Sequence, residues 1–261
     1  MNLSAYLQGL IAGYVRGDNL PAPPSSLRLV LSTTDPKSDG SGLSEPSVSY
    51  GYSRQTISFK TPVATLGNGV SAFNSSVMTF GIATSQWPTT PYAAILDQSD
   101  NILFYGTLNV QRAASTGDTI PFAEDSVQLH FGNYYSHYFG TLLLNWVRGT
   151  IPPAAPTSLR LALSKADPTQ AGLGIVEPVT NYTRLPITFS TPVSSPTGTS
   201  ILSNGPYIFG PANAAWGFIT HCAVLTSTNS QLFQGPITVP RSVNVDDSFA
   251  VPTGALSVLL N

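Results

Sequence analysis

Residues 26–32 read Ser-Leu-Arg-Leu-Val-Leu-Ser, and residues 158–164 read Ser-Leu-Arg-Leu-Ala-Leu-Ser. An Asp-Pro pair and a Glu-Pro pair follow each run at the same distance along the chain, beginning at Asp35 and Glu45 and again at Asp167 and Glu177. Short apolar runs of this kind, bounded by Ser, Asp and Pro, are typical of β-strands followed by turns. The chain therefore contains one β-rich unit twice.

The repetition continues through each half of the chain. Arg54 and Phe59 recur as Arg184 and Phe189 at a slightly shorter spacing. Farther on, the spacing shortens once more, and these positions recur: Phe80, Trp87, Phe104, Arg112 and Asp118 as Phe209, Trp216, Phe233, Arg241 and Asp247. The period is half the length of the chain, which is the size of a domain and not of a short solenoid repeat. We therefore expect two tandem domains, residues 1–132 and 133–261, that superpose on each other.

Each half opens with an amphipathic helix. Apolar residues recur there at spacings of three and four, which places them on one helical face: Leu3, Tyr6, Leu7, Leu10, Ile11, Tyr14 and Val15 in the first half, and Tyr135, Tyr138, Phe139, Leu142, Leu143, Trp146 and Val147 in the second. Asn2 or Ser4, and Asn133 or Ser136, are suitable N-caps, and Gly17 and Gly149 are suitable ends. We expect each helix to cover its own sheet; the alternative is that its aromatic face docks on a neighbouring subunit.

After each helix the pattern changes to the period of two that indicates strands. In the first half, we predict strands at 27–31, 55–59, 76–80, 93–96, 102–105 and 127–131, with hairpin turns at 98–101 and, in the second half, at 227–230. About seven short strands in roughly 110 residues indicate an antiparallel sandwich. The predicted fold is mainly β: two tandem antiparallel β-sandwich, jelly-roll-like domains, each preceded by one amphipathic α-helix.

The duplication separates charged residues that both halves keep from those that only one half has. All eight arginines form four matched pairs, whereas none of the three lysines has a charged counterpart. Guanidinium groups suit bidentate bonds to carboxylates and loop carbonyls. We interpret most of the retained residues as structural: Arg28, Arg54, Arg112, Arg160, Arg184, Arg241, Asp35, Asp167, Glu45, Glu177, Asp118 and Asp247; a ligand site present in both halves is the alternative. Arg54 and Arg184 are expected to be at least half buried and bonded to a carboxylate or to loop carbonyls.

The composition excludes several classes of partner. Charged residues make up 9% of the chain and the net charge is -2, so no basic surface is available for nucleic acid. No apolar run approaches the roughly 18 residues that a membrane-spanning helix needs, and the first residues show no secretory signal. Cys222 is the single cysteine, which excludes a disulfide within the chain and predicts a small buried apolar residue.

The sequence contains no catalytic motif. The three histidines, His130, His137 and His221, occupy unrelated positions in the two halves and do not have the spacing of metal ligands. Calcium would need six to eight oxygen ligands. The acidic residues of the loop from Asp35 to Glu45 are better explained by a turn that Asp35 favours and by a glutamate bound to an arginine. We therefore predict no catalytic residue, no cofactor and no metal.

The order of these segments resembles a family of phage proteins. The segments are Leu-Arg-Leu-Val-Leu-Ser-Thr-Thr-Asp-Pro (27–36), Tyr-Ser-Arg-Gln (52–55), Trp87, Ile-Leu-Phe-Tyr-Gly (102–106) and Thr-Gly-Asp-Thr (116–119). They resemble small structural proteins of tailed bacteriophages, which are variously described as tail fibre, head fibre or capsid decoration proteins. Members of that family usually contain one such unit, and this chain contains two.

The resemblance implies a virion structural protein that is not an enzyme. The first expectation is a capsid decoration or cement protein on the capsid surface, which bridges neighbouring major capsid protein subunits and contacts copies of itself as a homo-oligomer, with no nucleic acid or membrane partner. The alternative is a tail fibre or baseplate component that binds a host-surface glycan, for which Tyr50, Tyr52, Trp87 and Tyr92 would have to be exposed together. A third class, a glycosidase using Asp35 and Glu45, would need both carboxylates free in one cleft.

Overall fold

A computed structural model describes residues 1–65, 67, 69–132, 134–195 and 198–260. Asn133, one of the predicted helix caps and the first residue of the predicted second domain, lies outside the described residues. We name residues 1–132 repeat 1 and residues 133–261 repeat 2. Repeat 1 contains β1 (Asn2–Leu3), α1 (Ala5–Arg16), β2 (Leu27–Ser32), a 3-10 turn (Val48–Tyr50), β3 (Gln55–Ile57), β4 (Val63–Thr65), β5 (Gly69–Phe73), β6 (Met78–Phe80), β7 (Thr90–Leu96), β8 (Ile102–Arg112), β9 (Ile120–Phe122) and β10 (Gln128–Phe131). Repeat 2 contains α2 (His137–Val147), β11 (Leu159–Ser164), β12 (Leu185–Ile187), β13 (Val193–Ser195), β14 (Gly198–Leu202), β15 (Tyr207–Phe209), β16 (Gly217–Thr226), β17 (Gln231–Val243), β18 (Phe249–Val251) and β19 (Ser257–Leu260).

The strands form antiparallel sheets in matching arrangements in the two repeats, except that β1 is replaced in repeat 2 by a single bridge between Tyr135 and Phe233. Repeat 1 has a main sheet of order β1-β8-β7-β2-β3, a second sheet of order β10-β5-β4 and a β6-β9 pair. Repeat 2 has the corresponding sheets β12-β11-β16-β17, β13-β14-β19 and β15-β18. Within the described ranges, every strand pairs with a strand of its own repeat. The prediction of a mainly β, antiparallel sandwich protein with two helices is confirmed.

The strand predictions succeeded where apolar residues dominate the run. All six strands predicted in the first half overlap observed strands, and both predicted hairpin turns are present. Asp100 and Asn229 take the left-handed conformation in these turns, with φ of 65° and 68°, which Asp and Asn tolerate better than most residues. Strands β1, β4, β5 and β9 were not predicted, because each is short and holds few large apolar residues. The predicted helical stripes began too early: Leu3 lies in β1, and Tyr135 precedes α2.

Serine caps both helices. The Ser4 hydroxyl accepts the Leu7 N–H at 3.1 Å, and the Ser136 hydroxyl accepts the Phe139 N–H at 3.0 Å. Of the two N-caps predicted for each helix, an asparagine and a serine, the serine is therefore the N-cap in both helices. Gly17 ends α1 in the left-handed conformation, with φ of 104°, and α2 ends just before Gly149, which has φ of 93°.

Each helix packs on both repeats. Helix α1 contacts β8 of its own repeat and also β14 and β19 of repeat 2, while α2 contacts β17 of its own repeat and also β4 and β5 of repeat 1. The helices were expected to cover only their own sheets. They reach farther because the buried face is wide: in α2 it includes Phe139, Leu142, Leu143, Leu144, Trp146 and Val147. One hydrophobic core therefore contains residues of both repeats.

A loop covers the outer face of each main sheet. In repeat 1, Leu43 packs on a small cluster that includes Val30, Ala94 and Leu96, and in repeat 2 Ile175 packs on the corresponding cluster. The loop turns tightly at Gly42, where a Cβ atom would lie 1.9 Å from the Asp35 carbonyl oxygen. Only glycine allows this approach, so the loop that was considered for calcium is a folded cover of the sheet.

Candidate functional site

Two arginine–glutamate pairs that both repeats retain form bidentate ion pairs, one beside the connection between β2 and β3 and one beside that between β11 and β12. Arg54 Nε lies 3.1 Å from both Glu45 carboxylate oxygens, and Arg54 Nη2 lies 2.7 Å from Glu45 Oε1. Arg184 binds Glu177 in the same way, at 2.9, 3.1 and 2.7 Å. The hydrogen bonds to glutamate raise the pKa of both guanidinium groups. The arginine side chains are 30% and 21% exposed, so these pairs lie at the edge of the protein and not in its core.

The same arginines hold the tip of the long hairpin in each repeat. In repeat 1, Asp100 Oδ1 accepts from Arg28 Nη2 at 2.7 Å and from Arg54 Nη1 at 2.6 Å. In repeat 2, Asn229 replaces Asp100 and accepts from Arg184 Nη1 at 2.6 Å. Arg160, the counterpart of Arg28, is exposed, because no carboxylate is present at the second tip.

The other predicted structural residues make separate local contacts. Asp35 and Asp167 each accept the N–H of the residue two positions on, and Asp118 and Asp247 each accept the N–H three positions back. The guanidinium groups of Arg112 and Arg241 lie over Phe122 and Phe249, 5.4 and 4.8 Å from the ring centroids. These residues therefore do not converge on a common cleft. Among the described residues of the predicted set, Arg184 pairs with Glu177, and Arg54 pairs with Glu45 and is joined to Arg28 through Asp100.

Two of the four aromatic residues considered for sugar binding are buried, whereas Tyr50 is exposed and Tyr92 is partly buried, so the four are not exposed together. Tyr52 is 4% exposed and Trp87 is 1% exposed, and their rings meet edge to face with centroids 5.4 Å apart. The Tyr52 hydroxyl accepts the buried Leu31 N–H at 3.0 Å, and burial raises the pKa of this phenol. Tyr182 and Trp216 repeat these contacts in repeat 2. The exposed platform that the glycan alternative requires is therefore absent from this described cluster.

The duplication could have predicted this aromatic cluster. Tyr52, Phe80 and Trp87 all have identical counterparts, and Phe80 stacks on Tyr52 as Phe209 stacks on Tyr182. The recurrence of these three aromatic residues in both halves therefore indicates packing in each repeat, as the recurrence of the arginines indicates structural contacts.

One serine and one histidine of the described chain are hydrogen-bonded to each other across the exposed side of the β5–β10 ladder. The Ser71 hydroxyl and His130 Nδ1 lie 3.0 Å apart, and burial lowers the pKa of that histidine. Burial raises the pKa of Cys222 to about 11, as expected for a buried thiol that is not reactive. Among the described residues, no group of three or more His, Cys, Asp or Glu side chains could hold a metal ion. No described helix is both long and apolar enough to cross a membrane.

Two open grooves of about 450 and 470 Å³ lie on the surface, one beside α2 and one beside β17. His137, Tyr138 and Ile151 are among the residues that line the first, and Ile237, Arg241 and Phe249 are among those that line the second. No aspartate or glutamate lines either groove. The pair of carboxylates that glycoside hydrolysis requires is therefore present in neither.

A protruding bulge interrupts the long hairpin of each repeat. Between the pairs Tyr92–Thr107 and Thr90–Arg112, β7 advances by two residues and β8 by five, so residues 108–111 leave the ladder. The same shift occurs in repeat 2, where residues 237–240 leave the ladder. Val110 and Val239 on these bulges are 61% and 72% exposed. The bulges give the two repeats matching apolar surface features, and periodicity could not predict them, because a bulge does not change the alternation along its flanks.

These features define the class of the protein: a duplicated, charge-poor β-sandwich protein whose retained residues hold loops in place. The family described as "Podophage GP4 fiber I protein gp80" matches residues 2–130 and again residues 134–259. The chain belongs to this family and is a structural protein of the phage virion. The resemblance seen in the sequence to tailed-phage structural proteins, present here as a tandem duplication, is confirmed. No curated protein matches the chain.

Proposed function

We propose that this protein is a non-enzymatic subunit of a phage fibre. The observation that carries the proposal is that a fibre-protein family matches both repeats almost completely. The interlocked helices support it, because they join the repeats through one hydrophobic core. A subunit of this kind suits a mechanical role, since loops and helices are held by retained contacts in both repeats.

The family description favours the second of the two virion roles expected from the sequence. A capsid cement that binds the major capsid protein was expected first, and a fibre was the alternative. The name of the family refers to a fibre. We therefore propose as partners other copies of this chain and the virion protein to which the fibre attaches.

Contacts between such subunits would depend on apolar area and backbone hydrogen bonds. Charged residues are 9% of the chain, and six close ion pairs within the described chain already involve Arg28, Arg54, Lys60 and Arg184. Exposed valines on both bulges supply apolar area. Apolar contact contributes about 25 cal/mol per Å² and is little affected by salt.

Neither an enzymatic role nor glycan binding by the aromatic cluster belongs to the proposal. Glu45 is held by Arg54, and Asp35 accepts a backbone N–H within its own turn, so neither carboxylate is placed as a free acid or base. Tyr52 and Trp87 are buried and would have to leave the core before they could stack on a sugar ring.

Disruption of the gene in the phage tests the proposed role. Particles made without the protein are expected to lack one set of fibres by electron microscopy while their filled heads stay as heat-stable as those of the wild type. Supplying the protein from a plasmid should restore the fibres. Particles that keep all their fibres but release DNA at a lower temperature would instead support the cement role and contradict the proposal.

A further inference from the structure

The two repeats meet at a pair of equivalent helix–sheet contacts. Gln8 of α1 and Gly140 of α2 correspond, because each donates its backbone N–H to the carbonyl of the serine that caps its helix. Val70 of β5 and Thr199 of β14 also correspond, because each pairs with the final residue of the last strand in its own repeat. Each of these helix residues contacts the sheet residue of the other repeat. The same helix–sheet contact therefore occurs twice in the molecule, with different side chains.

The first contact is polar and fully hydrogen-bonded. Thr199 Oγ1 donates to Gln8 Oε1 at 2.8 Å, and Gln8 Nε2 donates to the Leu3 carbonyl at 2.9 Å. Gln8 is 3% exposed and Thr199 is 2% exposed. A buried amide is tolerated only when its donors and acceptors find partners, and the threonine hydroxyl of the other repeat supplies the partner here.

The second contact is apolar and closer. A Cβ atom added to Gly140 would lie 3.0 Å from Val70 Cγ2 and 3.2 Å from Val70 Cβ. The backbone of α2 therefore rests against the valine side chain, which is fully buried. A glutamine at residue 140 would not fit without a shift of the helix, and its amide would have no hydroxyl opposite it.

The helix residue of each contact fits the sheet residue of the other contact badly. Gln8 against a valine would bury an amide oxygen without a donor, and Gly140 against a threonine would bury a hydroxyl without the glutamine acceptor. Both situations cost free energy through an unmade hydrogen bond. Pairing a helix with the sheet of an identical repeat would create one of these two mismatches.

We propose that the pairs Gln8–Thr199 and Gly140–Val70 assign each helix to the sheet of the other repeat. Repeat 1 then pairs with repeat 2 and not with another repeat 1, and the link between the two repeats of one chain favours the partner in the same chain. This selection matters wherever many copies lie side by side, because like repeats of neighbouring chains present identical surfaces to one another. The inference concerns the closure of a single chain and holds whether or not the protein is part of a fibre.

Isosteric substitutions in the full chain test the polar contact. Thr199→Val leaves Gln8 Oε1 without its donor, and Gln8→Met leaves both the Thr199 hydroxyl and the Leu3 carbonyl without their partner, so each should lower the folding equilibrium constant at least about tenfold in urea titrations. The double variant should lose clearly less than the product of the two single effects, because only the Leu3 carbonyl then remains without its donor. The matched control is Thr90→Val, whose hydroxyl bonds the Arg112 carbonyl within repeat 1 at 3.0 Å; its effect should add to that of Gln8→Met. Simple addition for Gln8→Met with Thr199→Val would overturn the proposal.

Exchange of the contacts tests the selection itself. The helix exchange, Gln8→Gly with Gly140→Gln, mismatches both contacts within a chain but matches each helix to its own kind of sheet in a neighbouring chain. Light scattering should then show concentration-dependent association that the wild type lacks, and adding Val70→Thr with Thr199→Val should reverse it. Wild-type assembly of the helix-exchanged chain, or no reversal by the second exchange, would contradict the proposal.

Discussion

At the scale of single residues, the fold depends on a few side chains that complete the hydrogen bonds of turns and loops. Arg54 and Arg184 each bind a glutamate through two nitrogens and reach the hairpin tip with a third. Lysine could not do this, because its ammonium group is a single point charge. The repeats therefore keep arginine at these positions because of its geometry as well as its charge.

Arg54→Lys and Arg184→Lys should each lower the free energy of unfolding by about 1 kcal/mol. The magnitude is modest because both side chains are partly exposed, at 30% and 21%. Urea titration of the full chain measures the effect, and Arg160→Lys is the matched control because Arg160 is exposed. A loss at Arg160 equal to that at Arg54 would show that the bidentate geometry is unimportant.

The buried phenols make stability depend on alkaline pH. Burial raises the pKa of Tyr14 to about 12 and raises that of Tyr52, Tyr135 and Tyr182 as well. Because the folded pKa values lie above the unfolded value near 10, this stabilisation is fully present below about pH 10 and is lost as the pH rises from there.

Tyrosinate absorbance tests this dependence. Four of the 11 tyrosines should remain protonated in the native protein at pH values where the urea-unfolded chain has ionised all of them. Titration of all 11 near pH 10, with the native circular dichroism unchanged, would contradict the burial of these rings.

Residue-level contacts could be predicted only where the duplication repeats them. The Arg54–Glu45 pair could be expected because both partners recur. The role of Asp100 could not, because repeat 2 has Asn229 there. The Gln8–Thr199 contact joins residues 191 positions apart that both differ from their counterparts, so neither local pattern nor internal comparison could reveal it.

At the scale of elements, the N-cap serine of each helix fixes the helix to the long hairpin of its own repeat. Ser4 caps α1 and also donates its hydroxyl to the Ile102 carbonyl, and Ser136 caps α2 and donates to the Gln231 carbonyl. In each repeat, one serine hydroxyl thus accepts a backbone N–H of the helix and donates to a backbone carbonyl at the start of the second hairpin strand.

Ser4→Ala and Ser136→Ala should each lower the free energy of unfolding by about 1–2 kcal/mol. The expected loss lies toward the upper end for caps because a buried strand carbonyl also loses its donor. Thermal and urea unfolding measure it, with Ser25→Ala as the control at an exposed serine. A loss at Ser4 no larger than that at Ser25 would contradict the dual role.

The sequence predicted which segments form helices and strands better than it predicted which elements pack against one another. Strand β2 and its copy β11 follow from apolar runs, and both helices follow from their 3.6-residue period. Strand β5 was missed because its alternating inward residues, Val70 and Ala72, include only one large apolar side chain, and it forms because β4 and β10 pair on its two sides. The packing of each helix on the other repeat depends on contacts that no local pattern contains.

At the scale of the whole molecule, the two repeats share one core. Leu7 of α1 and Leu143 of α2 are fully buried within it, and Arg148 at the end of α2 donates to the Phe59 carbonyl of repeat 1 at 2.9 Å. The structural units recognisable in the sequence are therefore not expected to unfold independently.

Leu7→Ala and Leu143→Ala should each lower the free energy of unfolding by about 2–5 kcal/mol and shift one common transition. The unfolding transitions measured by far-ultraviolet circular dichroism and by tryptophan fluorescence should coincide, because the repeats share one core. The fluorescence is informative for both repeats, since Trp87 lies in repeat 1 and Trp216 in repeat 2. The control, Val239→Ala at an exposed position, should have little effect. Two separate transitions, with each substitution moving only one, would show that the repeats fold independently.

The central claim, that this duplicated chain is a fibre subunit of the virion, is tested most directly by cryo-electron microscopy of the intact phage particle. We predict that density matching both repeats, with each helix between the two repeats, occurs in a fibre at a small number of positions on the particle. Density for the same pair of repeats at hundreds of positions across the capsid shell, with none in any fibre, would contradict the claim.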